Sequence, residues 1–260
     1  MFYRPDVTRH LPKAGLAAAL SLLLLGALIP AAPAAATPRF ARLLGLGDSV
    51  PTGATCACPD EVALLGLRLG TAQGSPVAVT NAAHNGATAR DVLVQVRGGG
   101  LGSPAARVTT VTVGANDFDP TVVATAACGQ AACYRTPLHV LDGLIRAVVS
   151  ALLVAQRGQS LAASPIVVTG YWNVFRDGAV GRSYGPAYAR NSDALTRAAN
   201  SVLRRAALAY GVRYADLYRP FKGDGDRDDT WLLGSDGDHP NAAGHRVVAA
   251  TVQRVLAGLA

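Results

Sequence analysis

Five short apolar runs, spaced by longer stretches of helical pattern, limit the folds open to this 260-residue chain more than any other feature. Leu43 to Gly47, Val77 to Asn81, Val108 to Val113, Ile166 to Gly170 and Val212 to Asp216 are mostly β-branched or leucine. They show no sustained alternation of apolar with polar residues, the pattern of strands buried on both faces. Between them Glu61 to Gln73, Thr88 to Val96, Leu138 to Arg157 and Tyr188 to Tyr210 carry helical pattern, and Ala242 to Leu259 supplies a last helix. Strand, helix, strand in repetition demands right-handed crossovers. The expected fold is therefore α/β: a three-layer α/β/α sandwich around a five-stranded parallel sheet of flavodoxin-like order.

Such a sheet has a working edge, because ligands bind beyond the carboxyl ends of its strands. Ser49, Gly86 and Asn116 each fall just after an expected strand. With the first strand beside the third, Ser49 and Asn116 become neighbours in space although far apart in the chain. The segments Asp119 to Thr136 and Asn173 to Pro186 are expected to arch over that edge and shape substrate entry. Gly98 to Gly100 and Gly223 to Asp229 are expected to be turns or surface loops.

The first 36 residues are set aside from the fold, because they have the form of a secretory signal. Arg4, Arg9 and Lys13 make a basic start, Leu16 to Ile29 is an uncharged apolar run, and Ala34-Ala35-Ala36 offers a cleavage site before Thr37. That run is 14 residues, whereas a membrane span needs about 20. The expectation is a cleaved leader, no stable membrane span afterwards, a secreted location, and one domain over 37–260. Loss of three basic residues and one acidic one lowers the formal charge from +7 to +5. The remaining positive charge is arginine apart from Lys222, scattered except at Arg204-Arg205, without the basic stripe and interleaved aromatics that nucleic-acid binding requires. A monomer is expected.

Four cysteines, Cys56, Cys58, Cys128 and Cys133, form two close pairs. An even count in an exported chain favours disulfides, and four cysteines allow three pairings. Cys128 with Cys133 closes an easy local loop. Cys56 with Cys58 has to bend sharply, so pairing between the two loops has equal weight. Zinc held by thiolates is the competing reading, and an oxidising compartment and the lack of a histidine nearby in sequence weigh against it.

Three segments carry chemistry: Gly47-Asp48-Ser49-Val50, Gly114-Ala115-Asn116-Asp117 and Asp236-Gly237-Asp238-His239-Pro240. Serine is a poor nucleophile alone, and ester cleavage needs a base in reach, a group that orients the base, and donors aimed at the developing oxyanion. Ser49 stands where an expected strand ends in a turn. Asp236, three residues before His239, suits one tight turn in which the carboxylate holds the imidazole. Asp238 is expected to cap the following helix or to be solvated. His84, His139 and His245 lack an acidic turn, and His245 is expected to be packed or at the surface. The order Ser, Asp, His with Asp and His so close differs from the familiar serine-hydrolase orders.

Taken together these blocks resemble the SGNH hydrolases, also called GDSL lipases and esterases, over the whole mature domain. Gly47-Asp48-Ser49 matches the first block, Gly86 the second, Gly114-Ala115-Asn116-Asp117 the third, and Asp236 with His239 the D-x-x-H block. Val50 stands where the family name has leucine, and Ala115 where a second glycine is common. The resemblance implies Ser49 as nucleophile, His239 as general base and then acid, and Asp236 as its orienting partner. It implies an oxyanion hole of the Ser49 and Gly86 backbone amides with the Asn116 side chain. It implies no cofactor and no metal.

The expected activity is a secreted serine esterase or lipase acting on a small-molecule, lipid or sugar ester through an acyl-enzyme. An O-acetyl esterase acting on a polysaccharide uses the same site, and a secreted binding protein that keeps the fold without turnover is the rival from another class. Tyr171, Trp172, Phe175, Tyr184 and Trp231 are candidates for an acyl groove or for core. Asp224, Asp226 and Asp228 alternate like a calcium loop, but Asp229 replaces the required glycine and Ser235 the required Glu. A solvated acidic loop is expected there.

Overall fold

The computed structural model describes residues 40–99, 108–124, 131–158 and 164–258. The expected leader and Cys128 lie outside the described residues. The elements run β1 (Arg42–Gly47), α1 (Glu61–Gln73), β2 (Ala78–Asn81), α2 (Ala89–Arg97), β3 (Val108–Thr112), α3 (Pro120–Ala124) and α4 (Arg135–Gly158). They continue with β4 (Ile166–Thr169), α5 (Gly178–Ser183), α6 (Pro186–Ala209), β5 (Arg213–Ala215), α7 (Tyr218–Lys222) and α8 (Ala242–Ala257). All five strands pair in parallel, in the order β2-β1-β3-β4-β5. This is the flavodoxin-like order, with β1 beside β3 as expected.

Alternate side chains of each central strand feed opposite helical layers. Leu43 and Val167 pack with Val62, Leu65 and Leu69 of α1 and with Ala249, Val252 and Leu256 of α8. Leu44, Leu46, Ile166 and Val168 face the other way, onto α2, α4 and α6. β1, β3 and β4 are buried almost throughout, which is why their sequences carry no alternation. β2 is different. It forms the sheet edge and its four residues are exposed, so burial on both faces fails there.

Local capping sets the helix ends. Asp60 accepts the Ala63 N–H ahead of α1, and Gly74 ends that helix at φ 70°. Thr88 and Asp91 form a reciprocal capping box on α2. α4 starts three residues before its expected first residue, because Pro137 is tolerated in a first turn. Its 24 residues are apolar enough in length and composition to cross a membrane. Leu141, Ile145, Val148, Val149 and Leu152, spaced by three, four and one, are buried in the core beside the sheet.

Cys56 bonds to Cys58, with Cα atoms 5.1 Å apart. Thr55 supplies the bend with a left-handed φ of 63°, and its preceding turn is closed by Cys56 N–H donating to the Gly53 carbonyl. The cross-loop pairing is thereby overturned for these two cysteines.

Candidate active site

β1 delivers Ser49 to the carboxyl edge of the sheet, and the turn that does so depends on close backbone approach. The Asp48 N–H donates to the Thr112 carbonyl of β3 at 2.9 Å. Gly47 adopts φ 142°, and a Cβ there would lie 1.9 Å from the Thr112 oxygen. No side chain fits. Asp48 itself is buried, its carboxylate accepting the Val50 N–H at 3.0 Å and the Tyr171 hydroxyl. Burial pushes its carboxyl up to about 7. The buried bracket from Asp48 to Tyr171 is a contact the sequence did not reveal, because its partner follows β4.

The segment before α8 brings the acid and the imidazole. Gly237 turns the chain at φ 68°, and the Gly234 N–H donates to the His239 carbonyl at 2.8 Å, which closes the loop. Within it the Asp236 carboxylate accepts the N–H groups of Asp238 at 3.0 Å and His239 at 3.1 Å, and its second oxygen stands 2.8 Å from His239 Nδ1. Burial opposes ionisation of Asp236, but the Asp238 N–H, the His239 ring and the His239 N–H hold its carboxyl below the ordinary carboxylate range. An ionised carboxylate only accepts, so Nδ1 carries a proton, and the neutral ring then presents its lone pair at Nε2. His239 Nε2 lies 2.8 Å from Ser49 Oγ. The hydroxyl, the imidazole and the carboxylate expected from sequence are thus joined in one line of hydrogen bonds.

Asn116 sits in the 3-10 turn Ala115–Asp117 after β3 and lines the same cleft as Ser49. Its side-chain nitrogen donates to the Ala87 carbonyl at 3.1 Å, next to Gly86, and still carries a second hydrogen. Gly86 lies at φ 77°, and an added Cβ there would meet nothing within 4 Å. The neighbouring Asp117 carboxylate accepts the Ala89 N–H at 2.9 Å and so ties this turn to the start of α2. That tie was not foreseen from sequence.

The cleft beside Ser49 has a volume of about 450 Å³. Phe118, Pro120, Val174 and Phe175 make one part of its wall apolar; Arg176, Tyr184, Tyr188 and Asp238 make the rest polar. Arg176 holds φ 89°, a rare conformation for a side chain of this size. Its guanidinium lies over the Tyr184 ring at 5.0 Å and donates to the Tyr184 hydroxyl. Of the expected aromatics, Phe175 and Tyr184 line the cleft. Tyr171 and Trp172 are core, and Trp231 is exposed and not part of the cleft wall.

Two expectations require correction. Asp238 does not cap α8; Asn241 does, accepting the Ala243 and Gly244 N–H groups. Asp238 instead lines the cleft, with its carboxylate 3.8 Å from His239 Nδ1, while its carbonyl accepts the Trp172 indole N–H. Burial pushes its carboxyl up to about 6. The acidic loop is not wholly solvated either. Asp229 is fully buried, 3.9 Å from Lys222 Nζ, and burial together with the nearby Asp177 raises its carboxyl to about 7. Lys222 Nζ lies 2.6 Å from Asp177. Of the two placements expected for His245, packed or at the surface, it takes the first, with Nδ1 2.6 Å from Glu61.

Among solved structures the chain is similar to the lipase Lip_vut3 from a goat rumen metagenome, at 15% identity over 82% of this chain and 96% of that one, with a TM-score of 0.62. It is similar to an extracellular lipase from Streptomyces rimosus, at 21% identity over 82% and 99%, with a TM-score of 0.56. It is also similar to the acetyl xylan esterase AlAXEase, at 16% identity over 82% and 98%, with a TM-score of 0.57. At these identities the likeness carries the fold. No curated protein matches the chain in sequence. The GDSL-like Lipase/Acylhydrolase family matches residues 46–247, a stretch that begins within β1, ends within α8 and contains every segment brought to the cleft. On that extent of agreement, the chain belongs to the GDSL-like lipase/acylhydrolase family.

Proposed function

We propose that this chain is an exported serine hydrolase of carboxylic esters that works through an acyl-enzyme. The observation that carries the reading is the unbroken relay from Ser49 Oγ to His239 Nε2 and from His239 Nδ1 to Asp236, each link 2.8 Å. In the first step His239 takes the Ser49 proton as Oγ attacks the ester carbonyl, and Asp236 stabilises the imidazolium. The oxyanion is received by the backbone N–H groups of Ser49 and Gly86 and by the second hydrogen of the Asn116 amide. His239 then protonates the departing alcohol. Water repeats the sequence on the acyl-enzyme and releases the acid.

Export is proposed from the basic start, apolar run and small-residue site of the first 36 residues, and the Cys56–Cys58 bond suits an oxidising compartment. A fluorophosphonate probe is expected to label the protein once, at Ser49, and the Ser49→Ala variant not at all. Labelling that persists in Ser49→Ala would place the nucleophile elsewhere.

The polar part of the cleft favours a second reading, an O-acetyl esterase acting on a polysaccharide. Arg176, Asp238 and the Tyr184 and Tyr188 hydroxyls can pair with sugar hydroxyls, and a short acyl group leaves that space to them. Release of acetate from an acetylated polymer, measured against cleavage of medium-chain acyl esters, separates the two substrate classes.

A further inference from the structure

The lack of a histidine near the cysteines, which weighed against metal binding in the sequence, does not survive folding. The first turns of α8 carry His245 to the loop that runs from Ser49 to α1. There one of its ring nitrogens and the Sγ atoms of Cys56 and Cys58 all lie within 4.8 Å of one another. The two cysteines are half-buried, whereas His245 is entirely buried. Nδ1 of His245 is committed to Glu61 at 2.6 Å. Nε2 is a buried polar atom without a hydrogen-bond partner, an arrangement that costs free energy and calls for an explanation.

We propose that Cys56, Cys58 and His245 form a redox-gated site for a thiophilic divalent metal ion of the zinc and cadmium class, open only when the Cys56–Cys58 bond is reduced. Reduction by a dithiol supplies two electrons and two protons: the S–S bond breaks, each sulfur becomes a thiol, and the reductant closes to its own disulfide. The metal then displaces both thiol protons to the solvent and takes two thiolates and the Nε2 lone pair. A tetrahedral ion with metal–sulfur and metal–nitrogen bonds of about 2.3 Å and 2.0–2.1 Å sets its ligand atoms roughly 3.5 to 3.8 Å apart. Reduction lets the two bonded sulfurs move apart to that separation, and side-chain rotation is to bring the ring nitrogen, within 4.8 Å of both, in to it. Glu61 occupies the position from which a carboxylate orients a metal-bound imidazole and raises its basicity. The half-exposed side leaves the fourth position to water. Thiolate and imidazole together select zinc-like ions over calcium or magnesium. The site is separate from the Ser49 cleft and does not depend on the esterase reading.

The test uses the full chain with Cys128→Ser and Cys133→Ser, so that Cys56 and Cys58 are its only thiols. A trialkylphosphine reduces the bond without competing for metal, itself becoming the phosphine oxide with an oxygen from water. Cadmium titration is followed by the ultraviolet cadmium–thiolate absorption, and X-ray absorption is recorded on the zinc-loaded protein. The expected result is saturation at one equivalent in the reduced protein, none in the oxidised protein or in Cys58→Ser, and a zinc shell of two sulfurs and one imidazole nitrogen. Glu61→Gln is expected to weaken binding about 10- to 100-fold. Absence of saturable uptake, equal uptake in the oxidised protein, or a zinc shell without imidazole overturns the proposal.

Discussion

Asp238 stands one position before His239 and turns a second carboxylate toward the same imidazole that Asp236 holds, 3.8 Å from Nδ1 against 2.8 Å. Burial pushes the Asp238 carboxyl up to about 6, so a second negative charge enters the site as pH rises through that value. Asp238→Asn removes that ionisation. The kcat/KM profile is expected to lose its ionisation near pH 6 in Asp238→Asn, and a profile unchanged there would show that the carboxylate does not act on the reaction. At Asn116 the expectation concerns rate rather than pH. Loss of one oxyanion donor costs about 10² to 10³ in turnover, so Asn116→Ala is expected to lose kcat in that range with its melting temperature kept near that of the parent. Both residues were visible in the sequence, but only one role was. Asn116 belongs to a recognisable block, whereas the direction of the Asp238 side chain follows from a turn closed by Gly234 and Gly237, which no residue pattern displays.

α8 begins at a cap that also supports the site. The Asn241 side chain accepts the Ala243 and Gly244 N–H groups and donates to the Trp231 and Leu233 carbonyls, two residues from His239. Loss of a cap costs about 1 kcal/mol, at most about 2. Asn241→Ala is expected to unfold at lower denaturant by about that amount. It is also expected to lose activity beyond the stability effect, because the same contacts fix the strand of chain that presents the imidazole. Activity unchanged in the folded variant would separate the cap from the site. Elements of this kind were legible in outline. The β-branched runs and the 3.6-residue periodicity marked all five strands and the long helices, with α1 matching at both ends. The short helices α3, α5 and α7 were missed, since segments of five or six residues hold too little periodicity to be told from loop.

Across the whole molecule the carboxyls whose ionisation the fold shifts set how stability depends on pH. Asp48 and Asp229, raised to about 7, and Asp238, raised to about 6, bind protons more readily in the folded chain than in the unfolded one. Their contribution to stability is therefore present below the unfolded value near 4 and is lost as pH rises through 6 to 7. Asp91, Asp228 and Asp236 are held low, so their contribution is lost only as pH falls below about 4. The melting temperature is expected to be higher at about pH 5 than at about pH 8, and Asp48→Asn, which retains partners for Val50 and Tyr171, is expected to flatten that slope. A melting temperature that rises from pH 5 to pH 8 contradicts this balance. The sequence by itself determined the class of fold, because periodicity is written in neighbouring residues, and through blocks that resemble a known family it pointed to the strand order and to the hydroxyl, carboxamide, imidazole and carboxylate that meet at the cleft. Only the tertiary structure decided that Asp48 and Asp229 lie buried, that Asp238 faces the cleft, and that His245 reaches Cys56 and Cys58. Those facts depend on which distant segments pack together, and packing is a property of the folded sheet and its helical layers rather than of any local stretch of chain.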